Sequence, residues 1–283
     1  MSDTIWITGA GGLIGNYLVQ TASQFASGWH AHGLTRKNLD LLDAIAVRRA
    51  FREQQPRAII HCAAMSKSPE CQAKPELARK TNIESTGLLA ELAADIPFIF
   101  FSTDLVFDGR KGNYVETDSV GPLNVYAETK VAAEKIVLAN PRHIVVRTSL
   151  NGGTSPTGDR GFNEQMRRAW QAGETLKFFS DEYRCPIPAA ITARVVWELL
   201  NKQQAGLFHV AGSERLSRVQ IGQLLAARWP QLNPKFAVSS LKEYSGAPRS
   251  PDTSLNCSKV QKVLSFPLPG LTDWLAKNPK EPF

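Results

Sequence analysis

Thr4-Ile5-Trp6-Ile7-Thr8-Gly9-Ala10-Gly11-Gly12-Leu13-Ile14-Gly15 is an apolar run that enters a turn with glycines at 9, 12 and 15. A strand followed at once by this spacing reads as a dinucleotide-binding turn. Gly9 permits the sharp strand-to-helix bend, Gly12 lets the backbone approach a pyrophosphate, and Gly15 lets the next helix pack tightly on the sheet. The helix it opens, from about Leu13 to Phe25, would present free N–H groups and a positive dipole end to phosphates. A loop before a buried helix would explain the same glycines without a ligand.

Working outward, short apolar runs recur at Thr4–Thr8, His32–Thr35, Ala58–His61, Phe98–Ser102 and His143–Arg147, separated by helical-period stretches. This alternation predicts βαβ crossovers, hence an α/β fold with a doubly wound parallel Rossmann sheet. Ligands of such sheets collect at the carboxyl ends of the strands. After Arg147 the pattern breaks into Gly-, Ser-, Thr- and Pro-rich segments, among them 151–160, 185–188, 247–251 and 267–269. A further buried strand, Gly206–Ala211, reads as returning to the sheet. The expected organisation is a dinucleotide domain of 1–149 plus about 189–212, and a smaller substrate-binding lobe of about 150–188 and 213–283.

Composition narrows the class. The chain has 283 residues, 43% hydrophobic, enough for a packed core. No apolar run approaches the roughly 20 residues of a membrane span, and the first strand starts too early for a signal peptide, so a cytoplasmic protein without membrane contact is expected. The four cysteines lack Cys-x-x-Cys or metal-ligand spacing, so reduced thiols and no metal are expected. The net charge of +7 is spread along the chain instead of forming a basic run, which argues against nucleic acid and suits a phosphorylated cofactor or substrate.

The second strand bears on the cofactor. An acid that bonds the ribose 2′-hydroxyl of NAD commonly ends this strand, but here the chain reads Leu34-Thr35-Arg36-Lys37. Arg36 would attract a 2′-phosphate that an acid would repel, so NADP(H) is expected over NAD(H). A solvated loop arginine is the alternative. Asp40 and Leu41 are placed to reach the adenine edge.

Tyr126-Ala127-Glu128-Thr129-Lys130 carries the candidate chemistry. Positions four apart share a helix face, which sets the Lys130 ammonium beside the Tyr126 phenol. A cation there is expected to lower the phenol pKa and make Tyr126 a general acid near neutrality. Such a pair arises readily by chance, and its weight comes from its place on a helix between the fourth and fifth strands. Upstream, the Thr103 hydroxyl leaves the end of the 98–102 run, where it would polarise a substrate carbonyl or cap a turn.

Together these residues resemble the extended short-chain dehydrogenase/reductase family, in its dTDP-4-dehydrorhamnose reductase-like branch. The likeness spans nearly the whole chain: the glycine turn, Leu39–Asp43, Cys62-Ala63-Ala64, Pro75–Ala78 with Asn82, and Ser102-Thr103-Asp104 leading to Val106–Gly109. It continues through Pro122–Tyr126 with Lys130, Arg147-Thr148-Ser149, Gly206–Gly212 and Arg249–Leu255.

The resemblance implies a Rossmann reductase in which Thr103, Tyr126 and Lys130 are catalytic, Tyr126 and Lys130 also contact the cofactor, and Lys130 does so at the nicotinamide ribose. It further implies that Gly12, Leu13 and Ile14 form the pyrophosphate loop, that Asp40 and Leu41 contact adenine, and that Ala63 and Ala64 flank the adenosine. The implied reaction is NADPH-dependent reduction of the 4-keto group of a nucleotide-linked deoxy sugar. Asp104 and Leu150 join Thr103 as substrate-binding candidates.

Departures concentrate on the substrate side. Leu105 and Leu150-Asn151-Gly152-Gly153 stand where relatives carry aromatics, and Asp181–Pro186 places Arg184 where they carry glycine. Arg184 and Arg249 would grip a diphosphate or a carboxylate of another substrate, unless they form ordinary ion pairs. Two other classes stay open: a non-catalytic dinucleotide-binding regulatory subunit, and an NAD-retaining sugar-nucleotide epimerase or dehydratase. Dimers are common among relatives, which leaves a homodimer open.

Overall fold

The computed structural model describes residues 3–283. Six strands, β1 (Asp3–Thr8), β2 (Trp29–Leu34), β3 (Ala58–His61), β4 (Phe98–Thr103), β5 (Ile144–Thr148) and β6 (Gly206–Val210), form one sheet in the order β6-β5-β4-β3-β1-β2. Every neighbouring pair is parallel. The expected doubly wound α/β fold is therefore what the chain adopts. The order reverses between β1 and β3, which opens a crevice above their carboxyl ends.

Two faces of the sheet are buried in separate layers because side chains alternate along a strand. Ile99 and Phe101 of β4 join Ile5, Ile7 and Val146 on one face, under Leu18 and Trp197. Phe98 and Phe100 point the other way, joining Trp6, Ile59 and Val145 under Leu89 and Val137. Burial of each such side chain contributes about 1.5–3 kcal/mol, which is why these runs read as continuous apolar strands.

Helix α1 (Leu13–Phe25) begins where expected. It is clasped by the helix Ala189–Asn201, whose Trp197 Nε1 donates to Thr21 Oγ1 at 3.2 Å and whose Asn201 Nδ2 donates to the Phe25 carbonyl at 2.8 Å. Strand boundaries moved slightly: β2 starts at Trp29 instead of His32, since 29–31 form a half-buried edge paired with Asp3–Ile5.

The remaining segments gather around a second core of Met166, Trp170, Phe178, Leu225, Trp229 and Leu271. Three short strand pairs tie them: Asn151–Gly152 with Ile187–Pro188, Tyr183–Arg184 with Leu216–Ser217, and Thr175–Phe179 with Lys235–Ser239. The loop before helix Phe162–Gln171 is pinned by buried Glu164, which accepts from Ser155 N, Ser155 Oγ, Arg160 N and Gly161 N at 2.7–2.9 Å. These segments roof the strand ends. Among the described residues, no helix is long and apolar enough to cross a membrane.

Candidate active site

A cleft of about 1280 Å³ runs from the glycine turn to the second core. It exceeds the roughly 300–1,000 Å³ of most small-ligand pockets, leaving space for a dinucleotide and a second ligand. At one end, Gly9 has φ +69°, and a Cβ there would lie 2.7 Å from Ala63 N. A Cβ on Gly15 would lie 2.4 Å from the Gly9 carbonyl, so this glycine lets α1 press on the turn. Gly12 is the N-cap of α1 and offers no side chain to its first N–H groups. A Cβ on Gly12 would meet only the Gly9 oxygen, at 3.2 Å. The N–H groups of Leu13 and Ile14 thus belong to an open helix terminus on the cleft wall, where oxyanions are favoured.

The expected adenosine side falls in the same cleft. Ala63, Ala64, Asp40 and Leu41 line it, as do Arg36 and Lys37. Thr35 fixes the loop that carries both cations by donating its N–H and Oγ1 to Asn38 Oδ1, each at 2.6 Å. Arg36 and Lys37 are exposed and make no ion pair among the described residues. Beneath, Thr8 Oγ1 meets His61 Nδ1 at 2.7 Å and accepts from Ala63 N at 3.2 Å, which ties the ends of β1 and β3 together. Free cations and a side-chain-free turn suit a phosphorylated dinucleotide.

The other half of the cleft brings Thr103, Asp104, Tyr126, Lys130 and Leu150 together. Tyr126 and Lys130 lie one turn apart on helix Val125–Leu138, whose N-cap Asn124 accepts from Ala127 N at 3.0 Å. Thr103 both lines the cleft and caps the following turn, accepting from Leu105 N at 3.2 Å. Its hydroxyl donates to Asp104 Oδ1 at 3.2 Å. Asp104 Oδ2 accepts from Ser149 Oγ at 2.7 Å and Thr253 Oγ1 at 3.0 Å. Burial pushes the Asp104 carboxyl up, against the opposing pull of Arg184 and these three hydroxyls.

The electrostatics reverse one expectation. Burial raises the Tyr126 phenol above its ordinary value, the Thr103 hydroxyl opposes the rise, and Asp104 and Cys71 add to it. Lys130 does not lower it, because burial brings the lysine itself down to about 7 despite Glu134. An amine that sheds its proton there carries no charge at the pH where a phenol ionises.

Arg184 and Arg249, expected either to grip a substrate oxyanion or to form ion pairs, do form ion pairs here. Both reach the cleft wall, but their charge is spent on buried Glu182. Arg249 Nε and Nη2 bond its two oxygens at 2.8 and 2.9 Å, and Arg184 Nη2 lies 3.1 Å from Oε1. Arg184 Nε is also 3.8 Å from Asp104 Oδ2. Burial works against the Glu182 charge, yet these arginines hold it below its usual range. Glu182 and Arg218, another cleft residue, were not singled out from sequence. Ser217-Arg218-Val219-Gln220 reads as the capping box that the structure indeed shows, and that pattern places no ligand.

Known proteins share this architecture. The chain is 30% identical over 96% of its length, and 95% of the relative's, to a probable low-salt glycan biosynthesis reductase, Agl14, of Haloferax volcanii. It is 28% identical over 93% of its length to methionine adenosyltransferase 2 subunit beta of Rattus norvegicus, covering 83% of that protein. A crystal structure of a dTDP-4-dehydrorhamnose reductase from Clostridium acetobutylicum superposes with a TM-score of 0.85 at 25% identity, over 97% of this chain and 99% of that one. The chain belongs to the RmlD substrate binding domain family, which it matches over residues 3–279.

Proposed function

We propose that this protein is an NADPH-dependent carbonyl reductase whose substrate is the 4-keto group of a nucleotide-linked deoxy sugar. One observation carries the reading: Thr103, Tyr126 and Lys130 share a wall of the cleft that begins at the open glycine turn and the cations of Arg36 and Lys37. The relatives named as reductases support it. NADPH, when bound, supplies the reducing equivalent. Gly9, Gly12, Leu13, Ile14 and Gly15 would hold its pyrophosphate, Arg36 its 2′-phosphate, and Asp40, Leu41, Ala63 and Ala64 its adenosine.

Tyr126 would then donate its phenolic proton to the substrate oxygen as the carbonyl becomes an alkoxide. Burial suits this role, because it keeps the phenol protonated until an oxyanion forms beside it. Thr103 Oγ1 would bond the same oxygen and polarise it. Lys130 would regain its proton once negative charge stands nearby, and would stabilise the tyrosinate left by transfer. Segments 150–188 and 213–283 would carry the sugar nucleotide, with Asp104 and Leu150 at the sugar.

NADPH oxidation against a panel of nucleotide-linked 4-keto sugars and simple ketones tests the reading, with Tyr126→Phe as control. Turnover that needs the phenol supports it, and a rate unchanged without the hydroxyl removes Tyr126 as acid. The methionine adenosyltransferase subunit among the relatives favours a second reading, a dinucleotide-binding subunit without turnover. A stoichiometric partner on purification, with no ketone reduced, would select it. Recovery of tightly held, non-exchanging NAD would select an epimerase or dehydratase instead.

A further inference from the structure

Three guanidinium groups meet at the floor of the cleft, and one of them makes no direct contact with a carboxylate among the described residues. Both oxygens of Glu182 are occupied by Arg249 and Arg184, and Arg184 also faces Asp104. Arg218 bonds Glu182 through its backbone, donating its N–H to the Glu182 carbonyl at 2.9 Å, while its guanidinium feels the Glu182 and Asp104 charges without touching either carboxylate. Its side chain makes no hydrogen bond or ion pair among the described residues, and its Nη1 is buried without a partner. The guanidinium lines the cleft, with its carbon 5.7 Å from the Phe162 ring centroid.

We propose that Arg218 is the receptor for an oxyanion of the substrate, a group carried by the substrate's diphosphate or by a carboxylate on its sugar. The formal count at this floor is three cations against two carboxylates, Glu182 and Asp104, which leaves one positive charge for a ligand. Arg218 is half-buried, and the buried Nη1 of its guanidinium has no hydrogen-bond partner; an unsatisfied charged donor costs stability, so its retention in a binding cleft points to neutralisation by something that binds there. A guanidinium fork fits carboxylate and phosphate oxygens alike. The site also lies close to the reacting end, because Arg184 links Glu182 to Asp104, the neighbour of Thr103. Sequence had pointed to Arg184 and Arg249 for this task. Their shared pairing with Glu182 instead gives them the work of walling the pocket and leaves Arg218 to bind. This inference rests on the reductase reading for the identity of the ligand as substrate.

Isothermal titration of the full chain saturated with NADP+ tests it, using two pairs of probes that differ by an oxyanion. Thymidine against dTDP reports the diphosphate, and UDP-glucose against UDP-glucuronic acid reports a sugar carboxylate. The intact protein is expected to prefer the charged member of at least one pair, and Arg218→Gln to reduce that preference about 10- to 100-fold. Arg218→Lys should keep part of it, and NADP+ affinity should stay unchanged in both. The melting temperature of Arg218→Gln should hold or rise, since an unpartnered cation is removed, whereas a structural role would lower it. Preferences that survive Arg218→Gln, their absence from the intact protein, or a lowered melting temperature would each overturn the proposal. Intact oxyanion preference without turnover of any ketone would instead count against the reductase reading alone.

Discussion

Lys130 holds its Nζ 3.9 Å from the centroid of the Phe100 ring and makes no hydrogen bond among the described residues. Its neighbour one turn on, Glu134, is engaged by Arg147 and Ser102. An aromatic face compensates only part of the lost hydration, so burial takes the amine down to about 7. In the unfolded chain the value is about 10.4. Between these limits the unfolded state binds more protons, so this group makes stability rise with pH from about 7 to about 10. An anionic dinucleotide beside the amine would restore its charge. Binding of NADP+ at pH 8 is therefore expected to take up as much as one proton, and at pH 6, where Lys130 is already charged, almost none. Calorimetry in buffers of different ionisation enthalpy measures this, and uptake that persists in Lys130→Met would refute the assignment.

Tyr126→Phe removes the proton donor and one oxygen while keeping the ring that packs near Cys71 and Ala78. The expected result is a fall in kcat of about 10²–10⁴-fold with NADPH affinity held within about twofold, since the cofactor contacts assigned to Gly12, Leu13 and Arg36 remain. Stopped-flow measurement of NADPH oxidation, alongside fluorescence titration of NADPH, separates the two effects.

Much of this site could be read from local pattern. The runs at Thr4–Thr8, Ala58–His61 and Phe98–Ser102 are buried on both faces, so their character survives any detail of packing. The helix from Leu13 followed from the glycines, whose close approaches in space match their spacing. The start of β2 was hidden because His30 and His32 interrupt the apolar run on an edge strand. The sign of the Tyr126 shift was beyond spacing, which reports that an amine is adjacent but not that both groups are dry. Arg218 was beyond it too. Its surroundings come from Phe162 and Glu182, brought in from segments 56 and 36 positions away.

Arg36 sits on an exposed loop held by Asn38 and has no carboxylate partner among the described residues. A charge-assisted bond to the 2′-phosphate would be worth about 1.5–3 kcal/mol. Arg36→Ala is accordingly expected to lower kcat/KM for NADPH about 10- to 100-fold while leaving that for NADH nearly unchanged. Arg36→Asp should go further and favour NADH, as an acid repels the phosphate and bonds a ribose hydroxyl. Steady-state assays with both cofactors decide it, and an unaltered preference would return Arg36 to the solvated surface.

Arg147 on β5 donates Nε and Nη2 to the two carboxylate oxygens of Glu134 at 2.9 and 2.7 Å, with both side chains no more than 5% exposed. Ser102 Oγ donates to the same carboxylate at 2.5 Å. Removing the arginine leaves a buried carboxylate with one hydroxyl, and Arg147→Ala is expected to cost about 3–5 kcal/mol in urea unfolding. Replacing both partners, as in Arg147→Met with Glu134→Leu, should cost less than the single change, because no unpaired charge is left behind. The pair also bears on chemistry, since Glu134 draws the Lys130 amine upward against burial. Glu134→Gln removes that pull and should move the pH at which Lys130 loses its proton below about 7. In a pH profile of kcat/KM the limb belonging to Lys130 would shift toward acid in this variant. If the profile stays in place while the protein is merely less stable, Glu134 supports the fold and has no part in setting the lysine.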